Sequence, residues 1–256
     1  MKFSAADVSV RDILPWRERF RQEMQCQIIH DSLHSREGWT QSYQLSIGQT
    51  IVGHGAVLIG GPWKGTKTVF EFYVAPDHRG QAGNLFEVLC ATAVITAYVV
   101  QTNDTLLTAM LRPWSARGIC EKIIFSDQLT TSLTGNCTIL RRATSDDAPR
   151  IFPHQVEPVG DWLLELDGAI VATGGVLYHY NRPYGDIYME VAAPFRQRGL
   201  GSYLVQELKR ICREGGNVPC ARCSPSNTGS YKTLQKAGFV PCAQILTGSF
   251  SLSAGP

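Results

Sequence analysis

One short stretch of the chain gathers residue types that can grip an anion: Arg196, Arg198, Gly199, Gly201 and Ser202, directly after Val191, Ala192 and Ala193. The order Arg196-x-x-Gly199-x-Gly201 suits a turn that joins the end of a strand to the first turn of a helix. The leading N–H groups of a helix have no intrahelical acceptor and lie at the positive end of its dipole. Glycine keeps a Cβ out of the way of an approaching ligand, and arginine adds charge-assisted donors. A diphosphate is the expected guest of this loop. Two other phosphate loops fail on spacing. Leu204 stands where G-x-G-x-x-G needs its third glycine, and no Gly-Lys-Ser/Thr follows for a Walker loop.

The elements around this loop can be read from periodicity. Trp162 to Leu166 and Ile170 to Tyr178 flank Asp167-Gly168, a hairpin signal, and a third strand runs from about Asp186 to Val191. Leu204, Leu208 and Ile211 recur at helical spacing over Ser202 to Arg213. A strand over Pro219 to Cys223, a helix over Thr228 to Ala237 stopped at Gly238, and a strand or two over Phe239 to Phe250 complete this half. Thr138 to Arg142 reads as its opening strand, with Ser145 or Asp146 capping a short helix.

The same order occurs earlier in the chain. Ile51 to Leu58 reads against Ile170 to Leu177 at an offset of 119, which also superposes Arg79 and Gly80 on Arg198 and Gly199, and Leu85 and Leu89 on Leu204 and Leu208. Two blocks in one register argue for duplication. Strands are expected near Tyr43 to Ile47, Ile51 to Leu58, Val69 to Val74 and Ala97 to Gln101. Helices are expected near Asn84 to Val94 and Leu106 to Arg112, with further helical sequence from Val10 to His34. The expected domains are 1–135 and 136–256, each a mixed α/β sheet of the α+β kind.

Composition narrows the function. A chain of 256 residues, 44% hydrophobic, has ample apolar material for two small domains and is not disordered. A net charge of +2, from 24 basic and 22 acidic side chains, gives no one-signed field to attract nucleic acid or an anionic membrane. The apolar runs around Leu89 to Val100 and Ile170 to Val176 fall short of the roughly 18 residues that span a bilayer. Met1 to Val10 lacks an apolar signal core, so reduced thiols in a cytoplasm are expected for the eight cysteines. Cys220 and Cys223 form a CxxC, but no second pair exists and the six histidines are scattered, so no metal site is expected.

Taken together, Arg196-x-x-Gly199-x-Gly201 after a strand ending in Val191, Asn227-x-x-Ser230, and Leu234-x-Lys236-x-Gly238-Phe239 resemble the GNAT superfamily of acetyl-CoA-dependent N-acetyltransferases. The resemblance covers about Trp162 to Phe239 strongly and the first half weakly, through the repeat. It implies tandem GNAT domains, with acetyl-CoA as cosubstrate and an amine-bearing small molecule or peptide as acceptor, in a monomer or homodimer. It also implies that Val191, Ala192 and Ala193 lie on a strand splayed from its neighbour, whose backbone pairs with the pantetheine arm. The diphosphate would then sit on Arg196, Arg198, Gly199, Leu200, Gly201 and Ser202. Asn227 matches the position that bonds the pantetheine or orients the thioester, and Ser230 lies near where some branches place an acid for the departing thiolate.

Attack of an amine on a thioester needs positioning, a base, and donors for the oxyanion and thiolate. Glu190 is either that base, directly or through water, or an outward strand residue paired with a surface cation. The family's commonest acid is a tyrosine four residues before the glycine of the Gly-Phe pair, and here that residue is Leu234. Ser230 is the substitute, with Tyr231 behind it or packed away, and a mechanism without a dedicated acid stays open. In the first half the repeat sets Asp77 against Arg196 and Ala82 against Gly201, and a carboxylate facing a diphosphate repels it. That copy is expected not to catalyse, with Asn103 serving as a helix cap. The remaining alternative for the whole chain is an acyl-CoA-binding sensor or scaffold.

Overall fold

The structure, a computed structural model, describes residues 1–113, 118–135 and 137–250. It forms two compact units, Met1–Lys122 with the stretch from Ala243 onward, and Ile123–Cys242. This differs from the contiguous halves 1–135 and 136–256 for a pairing reason. The end of the chain pairs with Ala97–Gln101, while Ile123–Ser126 pair with Cys220–Cys223.

The first unit contains β1 (Phe3–Val8), α1 (Leu14–Met24), α2 (His30–His34), β2 (Thr40–Ile47), β3 (Thr50–Leu58), β4 (Thr68–Val74), α3 (Ala82–Ala93), β5 (Ala97–Gln101) and α4 (Thr105–Leu111). The second contains β6 (Ile119–Asp127, from Ile123), β7 (Ile139–Arg142), β8 (Trp162–Leu166), β9 (Ala169–Leu177), β10 (Tyr184–Val191), α5 (Leu200–Glu214), β11 (Val218–Cys223) and α6 (Thr228–Lys236). The final strand, β12 (Phe239–Ser249), leaves the second unit after Cys242 and ends in the first. β1 and β6 are strands the periodicity did not mark, and Val10 to His34 is broken into a 3-10 turn, α1 and α2. No described helix is long and apolar enough to cross a membrane.

Each unit is a mixed sheet with the same pairing sequence. In the first, β1 to β4 are antiparallel neighbours, β4 and β5 are parallel, and β5 pairs antiparallel with β12. In the second, β7 to β10 are antiparallel, β10 and β11 are parallel, and β11 pairs antiparallel with β6. A bulge falls at the same place in both: the register shifts between Leu45 and Ser46 against β3, and between Leu164 and Glu165 against β9. The helices match as well. A Cβ on Gly55 would lie 2.4 Å from Leu89 Cδ2, and one on Gly174 would lie 2.8 Å from Leu208 Cδ1. These two glycines let a crossover helix press its leucine onto the sheet, and both pairs obey the offset of 119 residues.

Local sequence explains the framework of the second unit. Asp167 and Gly168 both take positive φ, 49° and 77°, as a two-residue hairpin between β8 and β9 requires. Along β10, Ile187, Met189 and Val191 join the core under α5, while the alternating Asp186, Tyr188 and Glu190 face the other side of the sheet. α5 contributes Leu200, Leu204, Val205 and Leu208 to that core. The short turn after β7 is capped by Thr144, whose N–H and hydroxyl both bond Asp147, rather than by Ser145 or Asp146. Cys220 and Cys223 point to opposite faces of β11. Cys220 Sγ bonds Gly185 O, and Cys223 joins the core, so the CxxC cannot act as a chelating pair.

Candidate active site

The ladder between β10 and β11 comprises three pairs, Tyr184 with Val218, Gly185 with Pro219 and Asp186 with Cys220. Beyond Asp186, β10 continues to Val191 with ladder pairs only to β9, and β11 continues to Cys223 with ladder pairs only to β6. The two strands therefore part, and the edge of Ile187 to Val191 that faces β11 offers backbone donors and acceptors to a guest. β10 leads through Ala192 and a short 3-10 turn, Ala193–Phe195, into the loop and α5.

At the loop the backbone curls into an anion-binding shape. Gln197 and Gly199 both have positive φ, 63° and 83°, and Gly199 is the N-cap of α5. The N–H groups of Leu200, Gly201 and Ser202 open the helix and have no intrahelical acceptor. Gly201 sits where a Cβ would press on Met189 Cε at 3.2 Å and on Val191 Cγ2 and Thr233 Cγ2 at 3.3 Å, so the helix start lies hard against β10 and α6. Three cations surround the turn. Arg196 Nε donates to Val191 O at 3.0 Å, the Arg198 guanidinium lies 5.2 Å over the Phe195 ring, and Lys236 Nζ is 3.7 Å from a Cβ placed on Gly199. Lys236 belongs to the Leu234-x-Lys236-x-Gly238 motif, and the fold brings its charge to the turn.

The helix after β11 is also placed by its cap. Asn227 Oδ1 accepts from Ser230 N at 3.0 Å and holds the start of α6. Ser230 is half-buried on the first turn. The Tyr231 ring meets Phe125 edge-on at 5.3 Å, a packing contact. Leu234 is buried in the core.

Glu190 pairs with a surface cation, Arg196 Nη2 at 3.6 Å from Oε1, but it does not lie outward. Its side chain is buried, and its carboxylate accepts three backbone N–H groups, from Gln155 at 3.0 Å and from Val156 and Glu157 at 3.1 Å. Burial alone would raise its pKa, but the three N–H donors and nearby His154 outweigh it and hold the carboxylate below its ordinary range. A carboxylate engaged in this way is a weak base. It fastens residues 155–157 over the sheet, assisted by His154 Nε2 on Thr173 Oγ1 at 3.1 Å and by Gly160 N on the same oxygen at 3.2 Å. Long-range pairing of this kind leaves no signal in sequence spacing.

The corresponding place in the first unit differs. Strand pairing sets Val74 opposite Gly53 and Val191 opposite Ala172, so Val74 is the counterpart of Val191. Arg79 Nε donates to Val74 O at 3.3 Å, as Arg196 does to Val191 O. Arg79 is therefore the partner of Arg196, not of Arg198, and the first unit's loop is two residues shorter than its counterpart. The ungapped superposition of Asp77 on Arg196 is corrected by these ladders. Gly80 and Gln81 lie in a 3-10 turn, and α3 begins after Gln81 with no left-handed glycine. Arg79 is itself engaged by the Glu23 carboxylate of α1. Asp104, not Asn103, caps α4, accepting from Leu107 N at 3.0 Å.

Residues 131–239 match the sequence model of the family described as Acetyltransferase (GNAT) family. No curated protein matches the chain. Similar solved structures include an acetyltransferase from the GNAT family from Colwellia psychrerythraea, 13% identical, covering 98% of this chain and 100% of that one, with a TM-score of 0.69. A tandem GNAT protein from the clavulanic acid biosynthesis pathway is 13% identical, covers 100% and 99%, and has a TM-score of 0.60. A GCN5-related N-acetyltransferase from Sphaerobacter thermophilus is 15% identical over 96% and 95%, with a TM-score of 0.58. The family match lies in residues 131–239, which carry a GNAT acetyltransferase domain, and the chain as a whole shares its fold with these structures.

Proposed function

We propose that the second unit transfers an acetyl group from acetyl-CoA to a primary amine of a small molecule or peptide, by direct attack in a ternary complex. The observation that carries this reading is the unpaired edge of β10, from Ile187 to Val191, running into the left-handed turn at Gly199. An extended amide-bearing arm can pair with that edge as an added strand would, while its diphosphate meets the N–H groups of Leu200 to Ser202. Arg196, Arg198 and Lys236 supply positive charge around the turn. Val191, Ala192 and Ala193 carry the arm to the diphosphate, and Asn227 fixes the start of α6 beside it. Ser230 is the hydroxyl assigned to the departing thiolate. Tyr231 packs, and Glu190 positions the 155–157 loop instead of removing a proton. The first unit is assigned no catalytic step, and the chain is assigned to the cytoplasm as a monomer or homodimer.

A binding-only role is the second reading, favoured by Leu234 at the position of the family's usual acid and by the engagement of Glu190. Two measurements separate them. A melting shift with acetyl-CoA tests binding, and release of free thiol from acetyl-CoA across a panel of primary amines tests transfer. Shift with release supports the enzyme, shift without release supports the sensor, and neither removes both. Within the enzyme reading, Ser230→Ala lowers turnover more than it lowers acetyl-CoA affinity, and an unchanged rate removes Ser230 from the acid role.

A further inference from the structure

Where the β10–β11 ladder ends, a second group of chemical side chains gathers on the face of the sheet opposite α5. Asp186 belongs to the last ladder pair, and Arg222 lies two residues past that pair on β11. Arg222 Nε reaches Asp186 Oδ2 at 3.3 Å, so one ion pair spans the strands just where they part. His179, on the 178–183 connection between β9 and β10, places Nε2 3.1 Å from the same Asp186 oxygen and 3.4 Å from Arg222 Nη2. The Tyr180 ring is 4.4 Å from the His179 ring and 5.7 Å from the Arg222 guanidinium carbon.

Two of these groups are unlike ordinary surface residues. The Tyr180 hydroxyl is buried and has no hydrogen-bond partner. Such an unmet hydroxyl is costly to bury and calls for a partner. Burial and the Asp186 carboxylate hold its pKa well above the usual phenol value, so it stays a hydroxyl. Asp186 is also buried, yet it fixes one nitrogen of an imidazole whose side chain keeps 21% of its exposure. Asp186 and Arg222 both meet Nε2; in the tautomer that donates Nε2–H to Asp186, Nδ1 is the nitrogen left for a proton from outside.

The distance along the strand links this group to the proposed cofactor edge. Ile187 to Val191 spans roughly 13 Å at about 3.3 Å per residue. An arm laid along that edge from the Gly199 turn brings its far end to Asp186.

We propose that His179, Tyr180, Asp186 and Arg222 form the reaction end of the cleft, with His179, held by Asp186, as the proton acceptor for the incoming amine. This rests on the acetyl-CoA reading given above. An ammonium gives one proton to His179 Nδ1, and the freed nitrogen pair forms the C–N bond at the thioester carbonyl carbon. Collapse breaks the C–S bond. The sulfur leaves with the bonding pair and takes the Ser230 hydroxyl proton, which the nitrogen's second proton replaces, while His179 returns its own to solvent. The Tyr180 hydroxyl hydrogen-bonds the reacting group. The charged and polar groups that face His179 are Asp186 on β10, Arg222 on β11 and Tyr180 on its own loop.

The first test needs no known acceptor. With the full chain labelled at histidine and the His179 ring resonance assigned by loss in His179→Gln, acetyl-CoA shifts that resonance, whereas ADP, which reaches only the diphosphate turn, does not. If acetyl-CoA gives a melting shift that Gly199→Asp removes but leaves the His179 resonance in place, the inference is overturned and the cofactor reading stands. If acetyl-CoA does not bind at all, both fall. For any amine that is turned over, His179→Gln lowers kcat by about 10²–10⁴ with the acetyl-CoA melting shift retained. Asp186→Asn moves the acid limb of the kcat/KM profile to lower pH, because the imidazolium loses its carboxylate. His179→Asn repeats the first variant with a shorter side chain, and full activity in both histidine variants overturns the assignment.

Discussion

The two strand–loop–helix segments, Val74 to Leu85 and Val191 to Leu204, have a common origin in the sheet and opposite surroundings. Both follow a strand that parts from its parallel neighbour: the β4–β5 ladder has two pairs, Thr68 with Ala97 and Val69 with Tyr98, and the β10–β11 ladder has three. Both place an arginine back on the carbonyl of the last strand residue. In the second unit the longer loop has room for left-handed Gln197 and Gly199, and Arg196 keeps 48% of its side-chain exposure. In the first, Phe20, Glu23 and Met24 of α1 line one pocket together with Phe72, Tyr73, Arg79 and Asp104, and Glu23 occupies the arginine. Each arginine thus meets a carboxylate of its own chain, Glu23 for Arg79 and Glu190 for Arg196, and the first unit's loop is two residues shorter.

The opposite faces of the two sheets show the same division. Glu71 of β4 is buried under α1 and α2, with Arg17 Nε at 3.2 Å, His30 Nδ1 at 2.9 Å and His34 Nε2 at 2.8 Å. Burial would raise its pKa, but Arg17 and His30 pull it well below the ordinary range. In the second unit no such helices cover β10, and the 155–157 loop is fastened by Glu190 instead.

The largest expected effect comes from breaking the closed side. Arg17→Met leaves Glu71 buried without its guanidinium and is expected to destabilise the first unit by about 3–5 kcal/mol, read as a lower urea midpoint. A loss under about 1 kcal/mol would show that the histidines alone hold Glu71. On the open side, Gly199→Asp puts a carboxylate and a Cβ into a left-handed turn facing the diphosphate. At acetyl-CoA 100 times its Kd the wild-type chain gains about 2.7 kcal/mol, and this variant loses that gain. Gly80→Asp leaves it nearly intact, and equal losses would make the first unit a cofactor site as well.

Acidity offers a smaller contrast. The folded pKa of Glu71 is depressed, so its contribution is fully present above the unfolded carboxylate range and is lost as pH falls through the folded value. Glu71→Gln therefore makes unfolding of the first unit less steep in acid, measured by urea midpoints from pH 7 down to pH 3; an unchanged slope would place the acid sensitivity elsewhere. The smallest effect is expected of Glu23→Gln, which removes a partly exposed ion pair worth about 0–1 kcal/mol. Calorimetric titration should still give one acetyl-CoA per chain, since the loop remains two residues short. A stoichiometry of two would show that Glu23 alone closes the first site.

Much of this was legible in residue order. The hairpin at Asp167-Gly168, the crossover helix led by Leu204 and Leu208, and the duplication seen at Gly55 and Gly174 all rest on local periodicity and on glycines with one conformational purpose. The loop Arg196 to Ser202 was legible because a helix N-terminus after a strand binds anions by backbone alone. What failed were the long-range assignments. An ungapped repeat aligned Asp77 with Arg196, since sequence offset cannot register a two-residue deletion that a strand ladder fixes. The cation expected beside Glu190 is there, in Arg196, but its burial is not legible, because alternation gives the face of a strand and not what covers it.

Most of the elements and the glycine turn before α5 follow from residue order, because they depend on neighbours within a few residues. Which strand completes each sheet, with β12 returning to β5 and β6 pairing with β11, follows only from the folded chain. The tertiary structure also decides which carboxylates are engaged and where His179, Asp186 and Arg222 meet. Apart from His179 with Asp186, those outcomes depend on pairing between residues more than thirty positions apart, where burial and hydrogen-bond geometry, and not local propensity, select the partner.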